Sequence, residues 1–174
     1  MVSSAQHVEL ITERGVERFL QRLFLRGVAL RSLYVVSPFV ASMSQSRFSL
    51  ACLRRKVEAE RVPTYLITRA PDETYQQEAM EALFGSPQVE IRYNPSLHAK
   101  LYVAWAEREA ESFALFGSGN LTAQSIESNI ELGMVVYSIG PGKDILRELH
   151  YWASVRLRTL AESRLIQTMR PLRR

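Results

Sequence analysis

The sequence predicts an α/β fold: one mixed β-sheet of about six to seven strands, flanked by helices on both faces. Two observations carry that reading. Between residues 32 and 95, β-branched and aromatic runs alternate with stretches of helical period, the pattern of parallel strands joined by right-handed crossovers. After residue 96 the alternation stops, and two apolar runs separated by a polar pentapeptide announce an antiparallel hairpin.

Taken in order, Leu10, Ile11, Val16, Phe19, Leu20, Leu23 and Phe24 recur at helical spacing, so a first helix is expected over 8–26. SLYVVSPFV (32–40) is a short buried strand stopped by Pro38. A helix over 46–60 follows, and PTYLITRA (63–70) is the next strand. The Pro71–Asp72 turn opens a helix over 73–84, and VEIRYNP (89–95) is a third strand. The hairpin joins LHAKLYVAW (97–105) to SFALFGSG (112–119) across the polar EREAE. A short helix near 122–128 leads into the strand IELGMVVYS (130–138). Gly140–Pro141–Gly142 breaks it before a helix over 143–160, with Leu146, Leu149, Trp152 and Ala153 among the inward positions. A single domain over 1–165 and a frayed basic tail at 166–174 is the simplest organisation, since no linker or repeat interrupts the chain.

Composition narrows the classes. No apolar run approaches the ~18–20 residues that span a bilayer, and the N-terminal stretch lacks the order of a signal peptide. Cys52 is the one cysteine, which excludes an internal disulfide and suits a reducing cytoplasm; it reads as a small buried residue on a helix. From Lys143 to Arg174 basic residues outnumber acidic ones by five, a surface that favours a polyanion such as nucleic acid.

The chemistry is concentrated in SLHAKLYV (96–103), FGSGNLT (116–122) and NIELG (129–133). Alternation along a strand puts His98, Lys100 and Tyr102 on one face, a polar row that is costly to bury unless it meets a partner or ligand. In FGSGN the same alternation groups Ser118 with Asn120, while Gly117 and Gly119 let backbone and substrate approach closely. Glu131 stands alone in an apolar strand. Each piece is weak by itself. Their conjunction within about 36 residues is specific.

This block resembles the phospholipase D superfamily, whose mark is H-x-K-(x)4-D, then a G-[SG]-x-N element and, in its small nucleases, a downstream glutamate. The matching residues are His98–Ala99–Lys100, Gly117–Ser118–Gly119–Asn120 and Glu131. The resemblance implies a single phospholipase D-like domain. The motif's aspartate position holds Trp105, and the hairpin before Gly117 is longer than in compact members. Ser37 resembles the strand-end residue that walls the pocket, and equally suits a turn before Pro38. Arg69 is in reach of either a phosphate or its neighbours Asp72 and Glu73, the latter being preferred.

Phosphodiesters repel nucleophiles, so cleavage needs charge neutralisation and an in-line attacker. Lys100 suits a non-bridging oxygen, Ser118 and Asn120 supply donors, and His98 attacks through one ring nitrogen while Glu131 orients the other. The resemblance implies a covalent phosphohistidine, later cleaved by water. The leaving oxygen needs a proton from a second histidine. His7 and His150 both lack a lysine two positions on, and His150 reads as a core or boundary residue. Two H-x-K copies face each other in the superfamily, so this single-copy chain is expected to form a homodimer with one composite site.

No Cys, His or carboxylate cluster has metal-ligand spacing, no cofactor motif is present, and FGSGN falls short of a G-x-S-x-G elbow. The expected activity is therefore a metal-independent nuclease acting on DNA through non-specific backbone contacts, without a membrane. A restriction or phage-defence setting with a separate helicase or recognition subunit suits such a domain. The alternatives are a lipid phosphodiesterase or phosphatidyl transferase, and a non-catalytic nucleic-acid-binding dimerisation module.

Overall fold

The computed structural model describes residues 7–25, 27–43 and 48–169. Its first half runs β1 (Val8–Glu13), α1 (Gly15–Leu25), β2 (Leu30–Val36), α2 (Leu50–Ala59), β3 (Thr64–Thr68), α3 (Thr74–Glu81) and β4 (Val89–Tyr93). Its second half runs β5 (Leu101–Ala106), β6 (Phe113–Gly117), α4 (Ala123–Glu127), β7 (Ile130–Tyr137), α5 (Gly142–Tyr151) and β8 (Arg164–Gln167). The eight strands form one sheet in the order β1-β7-β6-β5-β2-β3-β4-β8. β2, β3 and β4 pair in parallel, and every other pairing is antiparallel.

Two elements depart from the sequence reading. The helix expected over 8–26 is a strand followed by a helix, divided at Arg14, whose φ of 50° turns the chain. Residues 8–13 pair with β7, and the carbonyl of His7 accepts the Tyr137 amide at 3.0 Å to start the ladder. Pairing with a ready strand outweighs the local helical period there. The second departure is β8, a strand that carries the sheet two residues into the tail expected over 166–174. Gln167 fixes it, accepting from the Gly85 amide and donating to the Val89 carbonyl, both at 2.8 Å. Residues 170–174 of that tail lie outside the described residues.

One face of the sheet packs against α1 to α4 through Phe19, Leu20, Leu53, Val57, Met80 and Ile126. The other face packs against α5 through Leu146, Ala153 and Leu157. Each large aliphatic or aromatic side chain so buried contributes about 1.5–3 kcal/mol. α5 continues through a π-helical turn at Trp152–Arg156 and a last turn at Leu157–Thr159. Among the described residues no helix is long and apolar enough to cross a membrane.

Three of the eight basic residues from Lys143 onward are paired with carboxylates elsewhere in the fold. Lys143 and Arg147 meet Glu109 at 3.3 and 2.6 Å, and Arg158 clasps Glu90 at 2.9 Å. α5 also begins beyond the C-terminal end of β7, away from Glu131 at its N-terminal end. Cys52 differs from expectation too. It is half-buried in the first turn of α2, with the Arg55 guanidinium 3.1 Å from its sulfur. The Ser49 and Arg55 side chains hold that thiol below its ordinary pKa.

Trp105, at the motif's aspartate position, stacks on His150 with ring centroids 4.2 Å apart. Tyr34 meets His150 edge-on at 5.2 Å and stacks on Tyr65 at 4.7 Å. An aromatic pile under α5 thus occupies the aspartate's place. Burial lowers the His150 pKa. The unfolded chain then binds more protons than the folded one just below the ordinary histidine value, so stability rises with pH there. This contribution is complete above about pH 6.5 and declines as pH falls toward the folded pKa. His150→Phe keeps a ring in the pile without a titrating group. Thermal unfolding at pH 5.5 and 7 is expected to show a shallower pH slope for the variant; an unchanged slope would refute the assignment.

Candidate active site

Strand pairing gathers the chemistry at one end of the sheet. Val36 of β2 pairs with Ile67 and Leu101, Leu101 with Phe116, and Gly117 with Gly133. The residues just beyond those pairs therefore share an end: Ser37, Arg69, Lys100, Ser118 and Glu131.

His98 and Lys100 precede β5 and are not on it, because β5 starts at Leu101. An Asn94 turn displaces them: its side-chain oxygen accepts the Ser96 amide at 3.0 Å and its carbonyl accepts the Leu97 amide at 3.2 Å. Leu97 is buried with Leu101, while His98 faces solvent. Arg69 donates from Nε to the Leu97 carbonyl at 2.7 Å, so it braces the residue before His98 instead of pairing with Asp72 or Glu73. The Lys100 ammonium donates to the His98 carbonyl at 3.0 Å.

The GSGN segment packs against this turn. The Gly117 amide donates to the Lys100 carbonyl at 3.3 Å. Ser118 extends the β6–β7 ladder by one step, its amide donating to the Leu132 carbonyl at 2.9 Å and its hydroxyl oxygen accepting the Leu132 amide at 3.0 Å. An accepting hydroxyl keeps its own proton as a donor. Asn120 donates its backbone amide to Ser125 Oγ at 3.0 Å, and its Oδ1 is buried with no partner among the described residues.

Glu131 is buried behind this segment. Its desolvation raises the carboxyl pKa, while hydrogen bonds from Ser125 and Asn129 act in the opposite direction. A direct hydrogen bond between Glu131 and the His98 ring is not formed among the described residues. Gly119 leaves Glu131 its room, because a Cβ there would lie 2.4 Å from Oε2 and 2.9 Å from Val16 Cγ2.

Ser37 and Tyr102 are buried and act inside the wall. Ser37 donates to the Phe39 carbonyl at 2.7 Å and accepts the Leu121 amide at 2.9 Å. Tyr102 donates to the Gly119 carbonyl at 2.9 Å, and burial pushes its pKa up. Both fix the backbone around Asn120 and neither presents a surface to a ligand. The sequence reading missed Ser125, which links Asn120, Thr122 and Glu131. The available signal was Thr122 as an N-cap, its hydroxyl accepting the Ser125 amide at 3.3 Å. Among the described residues no group of three or more His, Cys, Asp or Glu is placed to hold a metal ion.

No family model matches the sequence. No curated protein matches it either. Solved structures do match. Nuc from Salmonella typhimurium, a phospholipase D family member, aligns with a TM-score of 0.64 at 14% identity over 92% of this chain and 99% of that one. NucT from Helicobacter pylori aligns at 0.59 and 13% identity over 91% and 98%. TrmBL2, an archaeal chromatin protein, aligns at 0.54 and 10% identity over 94% of this chain and 54% of that one. Near-complete mutual coverage with Nuc makes this the fold of the phospholipase D family, carried here by a single small α/β domain.

Proposed function

We propose that the protein is a metal-independent phosphodiesterase, a nuclease that cleaves DNA through a covalent phosphohistidine in a site shared by two copies. The observation that supports this reading is the Gly117 to Lys100 hydrogen bond, which ties the end of the His98–Lys100 turn to the residue before Ser118. Lys100 neutralises a non-bridging oxygen, and the Ser118 hydroxyl and the Asn120 side-chain NH2 donate to the phosphoryl group. A ring nitrogen of one His98 attacks phosphorus, the phosphorus–leaving-oxygen bond breaks, and the second copy's His98 gives that oxygen its proton. Water then attacks phosphorus and loses a proton to the second histidine, a phosphorus–oxygen bond forms, and the phosphorus–nitrogen bond breaks to restore the first histidine. Glu131 supports this from behind by holding, with Ser125, the Asn120 backbone.

Two further observations support the reading. Both NucT and Nuc share the fold over nearly their whole length, and TrmBL2 binds DNA. Leu10, Ile130 and Leu132 are 61%, 98% and 60% exposed on the sheet face that α5 leaves bare, beside Glu131. An apolar patch there suits the face of a second copy.

The test is a nuclease panel in excess EDTA with His98→Ala and Lys100→Ala beside the wild type. Cleavage by the wild type alone is expected. Abolition by chelation, or full activity in either variant, would sink the reading.

A further inference from the structure

Phe39 is the one exposed phenylalanine of the seven, at 38%. It follows the end of β2 and is held from both sides. On one side the Ser37 hydroxyl donates to its carbonyl at 2.7 Å, and the next residue, Val40, bridges Leu121, the neighbour of Asn120. The Ala41 amide donates to the Leu121 carbonyl at 3.0 Å and closes the same seam. On the other side the Arg69 guanidinium lies over the Phe39 ring, 5.5 Å from its centroid, while Arg69 Nε bonds the carbonyl before His98. The Phe39 backbone is thus tied to the Asn120 side of the candidate site, and its ring lies under the guanidinium that braces the His98 side. The part of the Phe39 ring that stays in water, 38% of the residue, gains nothing for the fold, whereas an aromatic face fixed beside a cation stacks any base at about 1–3 kcal/mol.

We propose that Phe39, steadied by Arg69, is the stacking platform for an unpaired nucleobase next to the phosphodiester that lies in the site. The proposal rests on the nuclease reading for its phosphate, and adds to it that the substrate carries bases and presents at least one of them unpaired. Polyphosphate and lipid head groups lack such a ring. A base within a duplex is stacked already, so single-stranded tracts, frayed ends and flaps are favoured over continuous double helix.

Binding tests this apart from catalysis. Fluorescence anisotropy in EDTA is measured with a labelled oligothymidylate and with an abasic oligomer of the same length, on wild type, Phe39→Leu and Phe39→Trp. Leucine fills the space without a π face, and tryptophan keeps one. The wild type and Phe39→Trp are expected to bind the base-bearing strand about ten-fold more tightly than the abasic one, a gap of about 1.4 kcal/mol. Phe39→Leu is expected to close that gap while its affinity for the abasic strand stays unchanged. A wild type that does not distinguish the two strands, or a Phe39→Leu variant that still does, overturns the proposal. So does a loss of base preference in Phe39→Leu that accompanies a halving of the solution mass, because Phe39 would then be a contact between copies. Absence of cleavage by a wild type that keeps the ten-fold preference would instead refute the nuclease reading and leave the platform standing.

Discussion

Mixed with an excess of His98→Ala chains and allowed to exchange subunits, the wild type is expected to lose activity as the square of its remaining fraction. The pure variant is expected to fall by at least about 10³-fold, since it lacks both the nucleophile and the acid. The quadratic law follows from one histidine per chain at the site and a reaction that needs two in different protonation states. A mixed pair holds either the attacker without its acid or the acid without its attacker. Initial rates on an end-labelled oligonucleotide across a series of mixing ratios measure it. A linear decline would mean that each chain works alone, and would remove the composite site while leaving the phosphodiesterase reading in place. Alkaline quenching of the wild-type reaction is expected to retain a labelled protein adduct that His98→Ala never forms.

Gly117→Ala is expected to destabilise the fold by about 3 kcal/mol or more, at the upper end of what overpacking does. A Cβ at this position would lie 2.4 Å from the Leu132 carbonyl oxygen and 2.6 Å from the Gly133 Cα. Both obstacles are backbone of the paired strand, and neither can rotate away. Relief requires parting β6 from β7 where Ser118 and Glu131 are set, so surviving activity is expected to fall with stability. Gly119→Ala supplies the contrast. Its nearest obstacles are side chains, the Glu131 carboxylate at 2.4 Å and Val16 Cγ2 at 2.9 Å, which can shift where a paired backbone cannot. That variant is expected to fold with a smaller loss of stability and to lose activity disproportionately. Urea midpoints and specific activities of the two variants, side by side, decide this. Equal midpoints would contradict the backbone argument.

The parallel half of the sheet was legible because each strand from Leu30 to Tyr93 is a compact β-branched run set between recognisable turns. β1 was not, because Leu10 and Ile11 continue the helical stripe of Val16, Phe19, Leu20 and Leu23 without a break. Only the partner strand β7 reveals that the chain is extended before Arg14. β8 is four residues with an exposed face, and its strand character comes from Gln167 reaching loops and strands far away in sequence. Motif spacing placed His98, Lys100, Ser118, Asn120 and Glu131 in one block. It was silent on Asn94, which moves His98 and Lys100 off the strand, and on Ser125, which draws Glu131 toward Asn120. Such polar contacts exist only once the chain is folded.

The two margins of the sheet have a consequence for how copies of this chain can meet. β1 and β8 are the outermost strands, and each outer pairing carries a register break, between Ile11 and Glu13 on one side and between Ile91 and Arg92 on the other. β1 also bears Glu9 and Glu13, and β8 is only four residues long. Irregular, charged and short edges resist annealing to another strand. Concentrated protein is therefore expected to resist ribbon-like aggregation through these edges. The outward amides of both margins should then exchange with deuterated water at the same rate at any protein concentration.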